Sequence, residues 1–408
     1  MRRVLYIFFT IIIIFLSVYG VSEWKSSNEK KPVVGNWVGT WSASMQASYE
    51  DGVSHKGFEN QTVRSIIHPH IDGKKMRIRL SNTFGSEPLS IEEIHVAVSK
   101  SGSGIVPGTD QQVTFGGEQN VTIPPGAKEF SDPISFEVNS EENLAVSLYV
   151  RDKTGPTTWH PRSMQTTYIS TGKHVSDSDA SAFKTKEDAW FWLDGVDVIP
   201  DPSVMGAIVV LGSSIANGNR STVDASRRWP DYLAKRLNQN NSDIKMSVLN
   251  AGVSANHLIN NRPDNGESAL ERLERDVFSQ TGVKALILHQ GLNDIRHYPE
   301  YDSEKVIEGM VQIINSTHDQ GLKIYGGTLT PFKGSGMYTS QGEKTRQEVN
   351  HWIKNSGEFD GVIDFDKALR DPKEPERYLP KYDAGDHLHP NDAGYKKMAE
   401  TVDLSTFK

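Results

Sequence analysis

The chain has 408 residues, more than one hydrophobic core usually serves, since single cores stop growing near about 250 residues, so two domains are expected. Its 36% hydrophobic and 24% charged residues are the makeup of an ordinary globular protein and exclude extensive disorder. A formal net charge of −8 offers no broad positive field to nucleic acid, and with no cysteine there are no disulfides, no thiolate metal sites and no thiol nucleophile, so any nucleophile is an oxygen or an amine.

The N-terminus reads Met1-Arg2-Arg3, then an uncharged, mostly apolar run from Val4 to Val21, then a polar stretch carrying Lys25, Lys30 and Lys31. Charge followed by an apolar segment is an export signal. The run sits at the border between a signal-peptide core and a spanning helix, which needs roughly 17 to 25 residues. Val18-Tyr19-Gly20 is its best cleavage site. Residues 1–33 are read as a signal peptide or N-terminal membrane anchor with its linker, which puts the rest of the chain outside the cell, secreted or anchored to the membrane.

Residues 34–200 follow a different pattern, of short alternating runs broken by glycine, proline and asparagine. Lys75–Leu80 and Asn143–Val150 alternate with period two and predict half-buried antiparallel strands. Turn signals such as Asp72-Gly73, Pro124-Pro125-Gly126 and Thr154-Gly155-Pro156 separate such runs. The region reads as a jelly-roll-like β-sandwich accessory domain.

Beyond the stiff linker Ile199-Pro200-Asp201-Pro202, strands alternate with helices over residues 204–408. Ala207–Leu211, Met246–Asn250, Ala285–Leu288, Lys323–Thr328 and Gly361–Phe365 predict strands. Arg228–Gln239, Leu270–Phe278, Glu304–Thr317, Gln341–Lys354 and a segment after Pro390 predict helices, the first from Trp229, Leu233 and Leu237 at helical spacing. Continuous apolar strands between amphipathic helices imply a parallel sheet covered on both faces, with its site at the carboxyl ends of the strands.

Four segments can bring polar residues to that edge. Gly212-Ser213-Ser214 follows the first strand, where a serine at a tight strand-to-helix turn exposes its hydroxyl and points its amide at a developing oxyanion. Serine there is also a common helix cap. Asn250-Ala251-Gly252 follows the second strand, and Gly252 lets the backbone come close enough to a ligand to offer its N–H, or is a plain turn glycine. Gln290-Gly291-Leu292-Asn293-Asp294 follows the third, where Asn293 can donate a side-chain N–H to the same oxyanion or cap a helix. In Asp386-His387-Leu388-His389-Pro390, an aspartate three residues before a histidine can accept the second ring N–H and steady the imidazolium; Asp386, His387 and His389 are alternatively a metal trio.

In order and spacing, Ser214, Gly252, Asn293 and Asp386 with His389 resemble the blocks of the SGNH (GDSL-like) hydrolase superfamily, over roughly residues 205–402. Gly291-Leu292-Asn293-Asp294 is similar to its G-x-N-D block and Asp386-x-x-His389-Pro390 to its D-x-x-H-P block. The resemblance implies a flavodoxin-like three-layer α/β/α domain holding a serine esterase. Ser214 would be its nucleophile, His389 the base and Asp386 the orienting acid; the amides of Ser214 and Gly252 and the Asn293 side chain would form the oxyanion hole, with no metal or organic cofactor. Gly39–Ser44, Arg79–Leu89 and Thr158–Pro161 look like the β-domain of secreted members. One departure is Ser213, where the family has the aspartate of G-D-S; that aspartate braces the loop, and a serine hydroxyl can take over part of that work. An α/β-hydrolase fits less well, because the elbow reads Gly212-x-Ser214-x-Ala216 and the acid lies beside the histidine. The substrate implied is a small acyl ester or acylated polysaccharide losing acetyl groups. The other readings are a lipase or lysophospholipase near the membrane and a non-catalytic glycan-binding surface protein.

Overall fold

β-Branched and aromatic residues in short runs between glycine and proline turns assemble the first half of the chain into antiparallel sheets. The computed structural model describes residues 35–239 and 243–408; the expected signal or anchor, with its linker through residue 33, lies outside the described residues. One sheet orders its strands Val38–Ser42, Leu193–Val198, Met76–Ser81 and Lys128–Phe130. A second orders Thr185–Glu187, Thr167–Thr171, Gln61–Ile67, Leu144–Val150, Glu93–Val98 and Gln111–Gln112. Ile78, Leu80 and Val196 from the first and Val63, Val146 and Leu148 from the second share one fully buried apolar cluster, as sheets laid face to face require.

The period-two strand Leu144–Val150 is not half-buried but buried at every position. It runs through the middle of its sheet, and its other face is covered too: Ala145 joins Ile66, Ala97, Tyr168 and Phe183 in a separate small core.

The second half is an α/β layer structure, whose elements are numbered here. Strands β1 (Val204–Gly212), β2 (Lys245–Gly252), β3 (Val283–His289), β4 (Lys323–Gly327) and β5 (Gly361–Ile363) form a parallel sheet in the order β2-β1-β3-β4-β5, the flavodoxin-like doubly wound arrangement. Helices α1 (Ser214–Asn217), α2 (Trp229–Leu237), α3 (Leu292–His297), α4 (Ser303–Asp319), α5 (Ser340–Asn355), α6 (Phe365–Leu369) and α7 (Asp392–Thr401) connect and cover it. Trp229, Leu233 and Leu237 of α2 are fully buried, as their spacing predicts. Val306, Met310, Ile313 and Ile314 of α4 are buried likewise.

The expected helix Leu270–Phe278 is instead a run of turns ending in a single π-helical turn, Glu274–Phe278. There the Ser279 amide reaches back to Glu274 O, and Arg272 turns inward to pair with Asp276 at 3.0 Å with both side chains buried.

Residues Trp37–Lys408 form one compact unit. Val38 and Trp41 of the sandwich lie in the same apolar cluster as Leu249 of β2 and Leu286 and Leu288 of β3. The Gly39 amide donates to Thr281 O at 3.0 Å, and His70 bonds Val248 O of β2 through Nδ1 and Asp231 of α2 through Nε2. Among the described residues no helix is long and apolar enough to cross a membrane.

Candidate active site

In the parallel register Gly212 of β1 stands beside Gly252 of β2 on one side and His289 of β3 on the other, so the loops after these three strands start at one level of the sheet edge. Directly after Gly212 the chain turns into α1, a single turn of helix whose first residue is Ser214. Its side chain is nearly buried, at 6% exposure. Gly218 ends the turn with φ 92°, a left-handed conformation natural to glycine.

The chain returns to this edge 175 residues later. Ser214 Oγ lies 2.9 Å from His389 Nε2, and His389 Nδ1 lies 2.8 Å from Asp386 Oδ2. A carboxylate only accepts, so Nδ1 carries the ring proton and Nε2 is left to accept from the serine hydroxyl. Asp386 Oδ1 accepts from the amides of Leu388 and His389 at 3.1 and 2.9 Å, while Arg220 Nε donates to Oδ2 at 3.0 Å. Partial burial pushes the Asp386 carboxyl up, but the His389 ring and these amides outweigh it and hold the group well below the usual carboxylate range. The loop is fixed where α7 begins: Asn391 caps that helix by accepting from the Gly394 amide at 3.0 Å.

His387 does not join Asp386 and His389. Its ring turns to Asp383, with Nδ1 2.6 Å from Oδ2, on a left-handed backbone with φ 59°. Among the described residues no three His, Cys, Asp or Glu side chains are placed to share a metal ion.

The oxyanion side of the site differs from the sequence expectation at one residue. Gly252 is still part of β2, and its amide donates to Asn250 Oδ1 at 2.9 Å, so it is not offered to a ligand. What the glycine provides is room. A Cβ here would stand 2.3 Å from Asn217 N and 2.7 Å from Ala216 C, inside the backbone of α1. Asn250 Nδ2 in turn donates to Ala216 O at 2.8 Å, which ties the strand end to the helix that carries Ser214.

The loop proper begins at Val253. Ser254 Oγ accepts from Asn217 Nδ2 at 3.1 Å and donates to Asn219 Oδ1 at 2.8 Å; two residues on, Asn256 O accepts from Asn293 Nδ2 at 2.9 Å. Ala255 lies between these contacts with φ 59°, bridging the helix of Ser214 and the Asn293 side chain. Asn293, the second residue of α3, is held from its other side by Arg296, which donates to Oδ1 at 3.0 Å. Its amide group has two hydrogens and spends one on Asn256.

Sequence reasoning passed over the residues beneath the site. Arg272, 1% exposed, donates to Gly212 O, Ala251 O, Asn256 Oδ1 and Asp276 at 2.8 to 3.1 Å, and to Ser44 Oγ of the sandwich at 3.3 Å. It thereby ties together the ends of β1 and β2 and the loop of Ala255. Its signal in the sequence was an arginine and an aspartate four apart within an otherwise apolar pattern. His160 stood in the sequence only as part of the Thr158–Pro161 segment, with no role given to it: buried between Ser44 O and Asn217 Oδ1, at 2.6 and 2.8 Å, it joins the sandwich to α1. The surface cleft over His389 has a volume of about 490 Å³, and Arg162, Met164 and Asp188 of the sandwich line it together with Asn219, Arg220 and Asp386.

Comparison with known proteins adds to this geometry. Residues 210–397 match the model of the GDSL-like Lipase/Acylhydrolase family. No curated protein matches the chain. Among solved structures, a member of the lipolytic protein G-D-S-L family from Veillonella parvula is 20% identical over 48% of this chain and 94% of its own, with a TM-score of 0.35. A carbohydrate acetylesterase from Sinorhizobium meliloti is 13% identical over 47% of this chain and 94% of its own, with a TM-score of 0.38. The aryl esterase of M. smegmatis is 14% identical over 48% and 94%, with a TM-score of 0.39. The family model runs from the end of β1, ahead of Ser214, past His389, the stretch that carries the resemblance read from the motifs; over these residues the α/β half of the chain is similar to the GDSL-like lipase/acylhydrolases.

Proposed function

We propose that the protein is a serine esterase that removes acetyl or other short acyl groups from carbohydrate outside the cell. The observation that carries this reading is the line of hydrogen bonds from Ser214 Oγ through the His389 ring to Asp386, at 2.9 and 2.8 Å. His389 Nε2 takes the hydroxyl proton as Ser214 Oγ attacks the ester carbonyl carbon, and Asp386 stabilises the imidazolium that results. The tetrahedral oxyanion meets the amide of Ser214 and the second N–H of Asn293. The amide of Ala255 takes the part expected of Gly252, whose own N–H is committed to Asn250. The imidazolium then protonates the departing sugar oxygen and the C–O bond breaks. A water, deprotonated by the same ring, attacks the acyl-enzyme, releasing the acid and restoring the serine.

The lining of the cleft favours a polar substrate over a lipid one. Arginine, aspartate and asparagine surround His389, and Met164 is the single apolar side chain among them, a poor wall for a long acyl chain. The reading as a glycan-binding protein without activity rests on Ser213, but that change lies outside the hydrogen-bonded line. Export is supported by Met1-Arg2-Arg3 and the run from Val4 to Val21. Recovery of the chain from medium or membranes supports it, and recovery only from cytosol refutes it.

The deciding experiment combines a fluorophosphonate probe with acetate release from acetylated xylo-oligosaccharides and fatty-acid release from a lysolipid. The wild type takes up the probe and releases acetate, while Ser214→Ala takes up none and loses turnover by about 10⁴-fold or more. An unlabelled wild type would overturn the esterase, and fatty-acid release in place of acetate would overturn the carbohydrate.

A further inference from the structure

One side chain at the cleft is used neither by the fold nor by the hydrolytic steps. Arg162 is exposed and lines the space above His389, yet among the described residues its guanidinium has no hydrogen-bond or ion-pair partner. The other charges at this opening are engaged: Asp188 Oδ1 accepts from the Met164 amide and Ser163 Oγ at 2.8 and 3.1 Å, and Arg220 donates to Asp386.

The backbone beneath Arg162 is held from both sides. Its amide donates to Asp188 O at 2.8 Å, and its carbonyl accepts at 2.7 Å from Nδ2 of Asn217, three residues after Ser214 in α1. Between these anchors the residue takes φ 56°, and Met164, two residues on, takes φ 55°. Left-handed backbone is sparsely populated for long side chains and persists only where the surroundings enforce it. The segment thus fixes the root of a cationic side chain at the mouth of the site, tethered to the nucleophile's own helix. A second arginine at the site, Arg296, is already spent on Asn293. The opening carries two aspartates, Asp188 and Asp386, against two arginines; with Arg220 committed to Asp386 and Asp188 to Ser163 and the Met164 amide, Arg162 is the charge left for an anion to meet.

We propose that Arg162 selects esters carrying a carboxylate or phosphate beside the acylated position, so that the substrate is an acylated acidic glycan rather than a neutral one. The planar guanidinium pairs with either anion through two parallel N–H bonds, while Ser214 reaches the neighbouring ester. The inference rests on the esterase reading above and adds the charge of the substrate to it.

The test compares kcat/KM for acetate release from acetylated galacturonate oligosaccharides, acetylated glycerol phosphate and acetylated xylo-oligosaccharides. The wild type favours at least one anionic ester over the neutral one by roughly five- to tenfold, the scale of one partly exposed charge-assisted contact; whichever anion is favoured identifies the source. Arg162→Asn suits the left-handed backbone but lacks the charge, so the preference disappears, chiefly through a higher KM for the anionic ester. Arg162→Lys keeps part of it. Equal ratios in wild type and Arg162→Asn, or a wild type that prefers the neutral ester, overturn the proposal and leave the esterase standing. Absence of probe labelling at Ser214 removes both.

Discussion

Asp386 and Asp294 show how one side chain serves two ends through its surroundings. Asp386 is open enough to water and so well supplied with donors that it remains ionised far into acid, which keeps the His389 ring aligned. Asp294 is buried, and burial pushes its carboxyl up to about 6, although the amides of Leu258 and Ile259 donate to it at 2.7 and 3.1 Å. Between the ordinary 3.8 and about 6 the folded chain therefore holds a proton that the unfolded chain has lost. Stability from this group is full below that window and declines as pH rises through it, by about 2 to 3 kcal/mol in all. Asp294→Asn removes the decline. Relative to wild type, the variant should gain about 2 kcal/mol between pH 4 and pH 6.5 in urea melts. The same offset at both pH values would mean that Asp294 does not titrate there. Its place in a Gly-x-Asn-Asp segment suggested nothing of this; the cue is that it clamps the loop at Leu258, which only the folded chain reveals.

At the scale of elements, the ends of strands decide which residues face the substrate. The apolar run Met246–Asn250 predicts a second strand of about the right place, but β2 continues to Gly252, so the loop and its available amides start later than the local pattern suggests. Nothing in Asn250-Ala251-Gly252 announces that extension, because it depends on pairing with β1 along Leu211 and Gly212. The missing helix at Leu270–Phe278 has a similar cause: Leu270, Leu273 and Val277 satisfy the helical period, while the wider turn answers to the buried Arg272–Asp276 pair. By contrast Ser214, Asp386 and His389 were legible, since residue identity and short spacings carry most of their chemistry. Gly252→Ala distinguishes the two roles given to that glycine. Alanine keeps the amide but drives a methyl into α1, so the variant should lose about 1 to 3 kcal/mol of stability and, with Ser214 displaced, much of its kcat. Thermal melts and ester turnover near those of wild type would show that the space is not needed.

For the whole molecule the defining feature is an apolar cluster that runs without interruption from the sandwich to the parallel sheet, with Val38 and Trp41 on one side and Leu249 and Leu288 on the other. Composition and the Pro200–Pro202 linker pointed to two folding units; contacts between segments so distant in sequence leave no periodic trace, and their extent had to be seen. Calorimetry should record one cooperative transition for Trp37–Lys408, and two well-separated transitions would contradict the shared core. Buried polar links follow the same path, from His160 to Asn217 and from Arg272 to Ser44. Grafting a different front module onto this catalytic half would therefore leave a wide hydrocarbon surface facing water and Asn217 without its histidine partner, so in this lineage the two portions are expected to be inherited, lost and redesigned together.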